Sequence, residues 1–231
     1  IEEMEANYEG YHHAVRYIMK SKLRSIEGVV AELMQVPQGY EIAVETALGA
    51  AMQNIVCLDD KSAQMAIELL KENRAGRLTF LPIASVKSAV RRDDRFAGAD
   101  GFRGYGSDCI KFDEKYRNIF EYLLGRTIIV DTMEHAVQLS RSAGGGLRFV
   151  TLEGEVINTG GAITGGRYKN STANLLTRKA EITKLENEIY EKTKIKDRSV
   201  SELTSQRTFL ETAQRRIAEA EEEAKKLARA I

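Results

Sequence analysis

A glycine-rich stretch near residue 160 has the spacing of a phosphate-binding loop. From Gly161 the chain reads GAITGGRY, which matches the G-x-x-x-x-G opening of a P-loop. Such a loop holds phosphates with backbone N–H groups, a lysine and a small hydroxyl that binds Mg²⁺. Here Arg167 and Tyr168 stand where the lysine and the Ser or Thr belong. The departure argues against a nucleotide site and leaves the glycines to be explained.

Other residue types that could do chemistry are sparse and scattered. Cys57 and Cys109 are far apart and form no C-x-x-C, so we expect buried thiols of a cytoplasmic protein rather than a disulfide or a zinc site. We predict no metal site, no cofactor, no small-molecule substrate and no enzymatic activity. The three histidines, His12, His13 and His135, have no second metal ligand at useful spacing. The carboxylate pairs Asp59-Asp60 and Asp93-Asp94 are expected to cap helices or face water.

Composition is that of a globular protein without a charge bias. The 231 residues include 34 basic and 34 acidic side chains, and 43% are hydrophobic. Net charge therefore indicates no partner, and only a local patch could attract one. No apolar run approaches the roughly 20 residues that a membrane helix needs, so we expect no membrane contact. Because the chain starts at Ile1 rather than at a methionine, we expect a fragment of a longer protein.

Both ends of the chain carry a heptad pattern. Apolar residues spaced by three and four predict an amphipathic helix of roughly 19 residues from Ile1. A longer coiled-coil pattern follows Ile182, although Ser199 and Glu202 also read as a capping box, so a break near 197–201 stays open. The economical arrangement is an antiparallel pair, and the alternative is two surface helices packed on the globule. The C-terminal repeat positions are Ile182, Ile189, Lys196, Leu203, Leu210, Ile217, Ala224 and Ile231.

The region between the helices repeats itself. NIVCLDDKSAQMAIELL with RLTFL resembles TIIVDTMEHAVQLS with RFVTL, and each copy follows a Leu-Gly pair. Each reads as a strand, an amphipathic helix and a second strand, which predicts an α/β (α+β) fold of two related mixed-sheet subdomains. We place the N-terminal arm at 1–24, subdomain I at 25–93, subdomain II at 94–170 and the C-terminal arm at 171–231.

Glycine also lets two backbones approach without side chains between them. Gly160, Gly161, Gly165 and Gly166 would allow a strand edge or turn to meet a partner surface. That surface belongs either to the same chain or to a second chain, and the residues alone leave both open.

Several blocks, taken in order, resemble the hinge of a bacterial chromosome-partition SMC protein. The most specific is VTLEGEVINTGGAITGG, supported by GRLTFLPI, YEIAVETALGAAMQNIV, GFRGYGSDCIKFD and LLGRTIIVDT. The resemblance covers essentially the whole chain. It implies a homodimer in which subdomain I of each copy abuts subdomain II of the other, joining two coiled-coil subunits into a clamp for chromosome condensation and segregation. The four glycines would then lie in the interface, the ATPase heads would lie outside this chain, and the protein would be cytoplasmic and nucleoid-associated.

A cluster of basic residues lies where the arms meet the globule. The SMC resemblance implies DNA binding with a preference for single strands, and Tyr168 offers a ring on which a base could stack. The alternative is that these are ordinary solvated side chains. The candidates are Lys20, Lys22, Arg24, Arg167, Lys169, Arg178 and Lys179.

Two rival functions remain at the level of sequence. One is a nucleotide-binding enzyme that uses the glycine loop. The other is a scaffold or adaptor that dimerises through its coiled coil rather than through its globule.

Overall fold

The computed structural model describes residues 10–166 and 175–229, apart from the side chains of residues 94, 175, 177–180 and 227–229. Two compact units are present, Ile1–Ala180 and Glu181–Ile231. Within the described ranges, no helix is both long and apolar enough to cross a membrane. The helices are α1 His13–Lys20, α2 Glu41–Leu48, α3 Asp60–Glu72, α4 Arg117–Leu124, α5 Met133–Ser142 and α6 Leu175–Arg229. The strands are β1 Ile26–Val29, β2 Met34–Gln35, β3 Ile55–Cys57, β4 Phe80–Pro82, β5 Phe102–Tyr105, β6 Lys111–Phe112, β7 Thr127–Val130, β8 Arg148–Thr151, β9 Val156–Ile157 and β10 Ile163–Thr164.

The predicted repeat is confirmed, and it is longer than the sequence indicated. One sheet has the order β1-β3-β4 and the other β10-β9-β8-β7-β5, so β5-β7-β8 reproduces the first sheet. In the first copy β3 and β4 are parallel and β1 is antiparallel to β3. In the second copy β7 and β8 are parallel and β5 is antiparallel to β7. The crossover helices α3 and α5 are capped alike, by Asp59 accepting from the Ser62 amide and by Thr132 accepting from the His135 amide. The prediction that Asp59 caps a helix is therefore confirmed.

A short ladder joins the two copies about a local two-fold axis. The equivalent strands β1 and β5 each have a register shift at a glycine, Gly28 and Gly104. Gln35 lies seven residues after Gly28, and Lys111 lies seven residues after Gly104. In the antiparallel pair of β2 and β6, Gln35 lies opposite Lys111. Equivalent residues that face each other across an antiparallel ladder require a local two-fold relation between the copies.

The largest hydrophobic core is shared by both copies. It contains Met52 and Leu81 from the first, Phe120 and Val150 from the second, and Leu176 at the start of α6. Separate outer clusters lie under α3, where α1 packs, and under α5. Since burial is the dominant stabilising term, the shared core holds the two copies together as one folded unit. The boundaries at 93 and 170 stay predictions.

The helical arms differ from the sequence expectation in two places. α6 runs without a break from Leu175 to Arg229, so there is no fold-back near 197–201, and Arg198 forms an ion pair with Glu202 across that point at 3.1 Å. The predicted N-terminal helix through Tyr11 is wrong in its continuity. α1 begins only at His13, and Gly10 has a φ of 96°, outside the helical region. Residues 1–9 lie outside the described part of the chain.

Candidate functional site

The glycine stretch lies in a β-hairpin rather than between a strand and a helix. β9 and β10 pair antiparallel, and the Asn158 amide donates to the Ala162 carbonyl at 2.9 Å across the turn. A P-loop requires a strand, a glycine loop and then a helix whose N-terminus receives the phosphate. Here Ile163 and Thr164 form a strand in the middle of the motif. The geometry therefore argues against the nucleotide interpretation.

The four glycines divide by backbone conformation. Gly161 and Gly166 have φ values of 87° and 121°, which only glycine adopts without strain, whereas Gly160 and Gly165 have no such requirement. A Cβ placed on Gly160 would meet no atom within 4 Å, and one on Gly165 would come no closer than 3.5 Å to Glu155. No close approach among the described residues explains these two glycines. The described residues therefore leave room for a Cβ at both positions.

β10 forms an open edge beside a shallow groove. It pairs with β9 on one side, and on the other side no described strand continues the five-stranded sheet. Ile163 is 60% exposed, which is unusual for a large apolar side chain on a strand. The adjoining groove has a volume of about 430 Å³, and its apolar floor and rim include Val137, Phe149, Ile157, Gly160 and Ile163.

A second open edge is β4 in the smaller sheet. β4 is equivalent to β8, but β8 is covered by the β9–β10 hairpin and β4 ends its sheet. It carries Pro82, a residue that strands tolerate at an edge because it has no N–H to donate. The other two edges, β1 and β5, are irregular at Gly28 and Gly104. A bulge of this kind discourages further pairing, which leaves β4 and β10 as the regular open edges of these two sheets among the described residues.

Three of the basic candidates lie at the C-terminal end of α1 or just after it. Lys20, Lys22 and Arg24 are exposed, with Lys20 in the last turn of α1. A groove of about 430 Å³ on this helix is lined by His13, Arg16, Tyr17, Lys20 and Ser21. Sequence reasoning missed Arg16 and Tyr17. Their spacing of three and four residues from Lys20 and His13 could have placed them on the same helix face.

The other basic candidates cannot be placed. Arg167 and Lys169 lie outside the described residues. Arg178 and Lys179 lie in α6, and their side chains are also outside the described part. In the ranges that are described, no group of three or more His, Cys, Asp or Glu side chains is arranged to hold a metal ion. Cys57 is buried as expected, Cys109 is only partly so, and burial raises the pKa of each thiol to about 11.

Polar contacts connect the two copies of the repeat. Glu27 accepts hydrogen bonds from Lys115 at 2.6 Å and from the Tyr116 hydroxyl at 2.7 Å, and these donors lower the pKa of Glu27. Arg148 donates to the Ala47 carbonyl at 2.8 Å, at the C-terminus of α2, where positive charge is favoured. Both contacts cross from one copy to the other, so they fix the relative placement of β10 and β4 within one chain.

Glu45 is a buried carboxylate in the core. The residue is 2% exposed, and neither carboxylate oxygen has a hydrogen-bond partner among the described residues. Burial raises the pKa of Glu45 to about 7, because the charged form loses its hydration. The two terminal nitrogens of Arg148 donate to the Ala47 and Thr46 carbonyls of α2 rather than to Glu45. No pattern in the sequence distinguishes this glutamate from a surface one.

Two β-α-β repeats related by a local two-fold axis, with two regular strand edges open among the described residues, define a hinge-type association domain. Residues 8–140 match the family model described as SMC proteins Flexible Hinge Domain, and the chain belongs to this family. It is 42% identical over 193 residues to the chromosome partition protein Smc of Halothermothrix orenii, covering 82% of this chain but 16% of that protein. The chain thus spans about a sixth of the length of that relative.

Solved structures agree. A crystal structure of an asymmetric dimer of the Geobacillus stearothermophilus SMC hinge domain is similar, with a TM-score of 0.75 and 36% identity, covering 82% of this chain and 78% of that one. The Pyrococcus furiosus SMC hinge domain gives a TM-score of 0.59 at 36% identity over 70% of this chain and 83% of that one. The fold predicted from the sequence is therefore confirmed.

Proposed function

We propose that this chain is the homodimerisation module of an SMC protein. It would join two coiled-coil subunits into a clamp that acts in chromosome condensation and segregation. The observation that carries the proposal is the open edge of β10, flanked by Gly160 and Gly165, whose lack of a side chain nothing in the described chain requires. The family membership and the dimeric structural relative support it.

The open edges suggest how two copies meet. β10 of one copy would add antiparallel to β4 of the other, and a two-fold axis would generate the same contact a second time. Each sheet pair would then become one continuous sheet, which removes all four regular edges. Gly160, Gly161, Gly165 and Gly166 would lie at these two contacts.

The molar mass of the chain in solution tests this association. We expect sedimentation equilibrium to give twice the 25.8 kDa chain mass at micromolar concentration, because backbone pairing along two edges buries both at once. A single-chain mass at ~100 μM would contradict the proposal.

Accessory DNA binding is a second proposed activity, favoured by the groove on α1. In this groove Arg16 and Lys20 offer phosphate contacts, and the ring of Tyr17 offers a stacking surface. We extend the site to Lys22 and Arg24, and propose Arg167, Lys169, Arg178 and Lys179 as further contacts. We propose a preference for single strands, because stacking needs unpaired bases. We also propose that the protein acts in the cytoplasm at the nucleoid, without a cofactor, membrane contact or catalytic activity.

Charge reversal tests the DNA surface. Replacing Lys20, Lys22 and Arg24 together by Glu should weaken single-stranded oligonucleotide binding at least ~10-fold. It should also reduce the slope of log binding constant against log salt concentration by about 0.7 for each lost phosphate contact. Fluorescence anisotropy over a salt series measures both. The matched control reverses three exposed cations elsewhere, Lys61, Lys87 and Arg126. Equal losses in the two variants would mean that only net charge matters and would contradict a defined site.

A further inference from the structure

Helix α3 has an apolar residue on the side that faces the open edge of β4. The sheet-facing side chains of α3 are Ser62, Ala63, Ala66 and Leu70, and Ile67 lies beside them with 37% exposure. Asp60, seven residues earlier and so on the same face, receives a hydrogen bond from Ser85 just after β4 at 2.6 Å. Ile67 therefore points toward the strand edge where no further strand follows.

In the second copy of the repeat, the groove beside β10 lies at the place that corresponds to Ile67 in the first copy. Ser140 follows the helix cap Thr132 by eight positions, as Ile67 follows Asp59. Where α3 has isoleucine, α5 has this small side chain, and it lines the groove together with Val137. On the floor, Ile157 and Ile163 are paired in register and so point to the same side of the sheet.

The handedness of the repeat determines which faces would meet. Both β-α-β units are parallel pairs with a crossover helix, and such crossovers are right-handed in nearly all proteins. If β10 pairs antiparallel with β4 of a second copy, the β3–β4 unit of that copy is related to β7–β8 by a half-turn within the plane of the sheet. A half-turn in this plane does not exchange the two faces, so both crossover helices lie on the same face. α3 of that copy then stands over the hairpin, on the side opposite α5.

We propose that Ile67 of the partner subunit packs against Ile163 in the groove between α5 and the β9–β10 hairpin. The inference rests on the proposed dimer and goes beyond backbone pairing, because it assigns a side-chain contact that closes the groove. The occupant is a second copy of this chain, since the groove is continuous with the β10 edge. The contact buries two apolar side chains that one chain alone leaves in water.

A single substitution with a matched control tests the contact. Ile67→Glu should raise the dimer dissociation constant at least ~30-fold, because it places an unpaired charge against Ile163. Met65→Glu is the control: Met65 is 49% exposed on the same helix but points away from the β4 edge. Both are surface positions, so thermal unfolding should show that each variant folds. Sedimentation equilibrium over a concentration series gives the dissociation constants.

A compensating pair shows whether the two side chains touch. Ile163→Lys alone should also weaken the dimer, and Ile163→Lys combined with Ile67→Glu should recover at least ~5-fold of the summed loss, because the new charges are adjacent. Equal dissociation constants for Ile67→Glu and Met65→Glu, or losses that simply add, would overturn the contact while leaving the dimer intact. A monomeric unsubstituted chain would overturn the dimer and the contact together.

Discussion

Replacing Gly160 and Gly165 together by leucine is expected to raise the dimer dissociation constant at least ~100-fold, equivalent to about 2.8 kcal/mol of association free energy. Neither glycine has a positive φ that would exclude leucine, and a Cβ at either position comes no closer than 3.5 Å to another described residue. The added atoms would occupy the space into which the second backbone has to move. Sedimentation equilibrium measures the loss, and thermal unfolding should show that the globule remains folded.

The choice of positions makes this test selective. Gly161 and Gly166 are left unchanged, because φ values of 87° and 121° would strain any other residue and disturb the hairpin itself. The control is Glu153→Leu, an exposed position in the turn at the opposite end of β9. A double glycine variant that still sediments as a dimer, with the affinity of the control, would show that these positions do not lie in an interface.

The Glu45→Gln variant is expected to be more stable than the unsubstituted chain at pH 8 by about 3 kcal/mol, and nearly equal to it at pH 4.5. Burial raises the folded-state pKa to about 7, above the ordinary value of 4.5. Between these two values the folded chain holds a proton that the unfolded chain has released, so stability falls as pH rises through this window. Above about pH 7 the penalty is complete, at about 1.4 kcal/mol for each unit of pKa difference.

Urea unfolding at fixed protein concentration, repeated from pH 4.5 to pH 8, measures this dependence. A fixed concentration is needed because dimer formation also stabilises the folded state. Glu72→Gln, at an exposed position on α3, removes one carboxylate without changing the core and serves as the control. If Glu45→Gln and Glu72→Gln showed the same pH profile, Glu45 would not be a buried ionisable group in solution.

The repeat was predictable from sequence where its elements are long. The helices from Asp60 and Met133, with their flanking apolar strands, carry clear periodicity, and both appear as expected. The two-residue strands β2, β6, β9 and β10 were not predictable, because two residues show no period. Their pairing depends on contacts between distant parts of the chain, and it is this pairing that creates the local two-fold axis and the open edge.

Local signals in the arms were overruled by their context. Ser199 and Glu202 have the residue types of a capping box, yet α6 continues through them because its other residues favour helix. Conversely, the heptad spacing through Tyr11 did not prevent a break at Gly10. A glycine costs about 1 kcal/mol in a helix, and its positive φ ends the regular hydrogen bonding.

The glycines of the candidate interface were predictable as a group, but their individual roles were not. Only backbone angles separate Gly160 and Gly165, which have no positive φ, from Gly161 in the hairpin turn and Gly166 after β10, whose positive φ favours glycine. Arg16 and Tyr17 lie apart from the basic residues Lys20, Lys22 and Arg24 in sequence, so only their helical spacing from Lys20 links them to this group. Ile67 and Glu45 have no sequence signature, since exposure of the one and burial of the other follow from tertiary packing.

The molar mass of residues 1–180 in solution bears most directly on whether the globule, rather than the coiled coil, makes the dimer. This fragment contains all three hydrophobic clusters and omits the exposed apolar residues of α6 beyond Ala180. Sedimentation equilibrium is predicted to show a dimer with an affinity similar to that of the full chain. A monomer at ~100 μM, alongside a dimeric full chain, would place the association in the helix and contradict the hinge account.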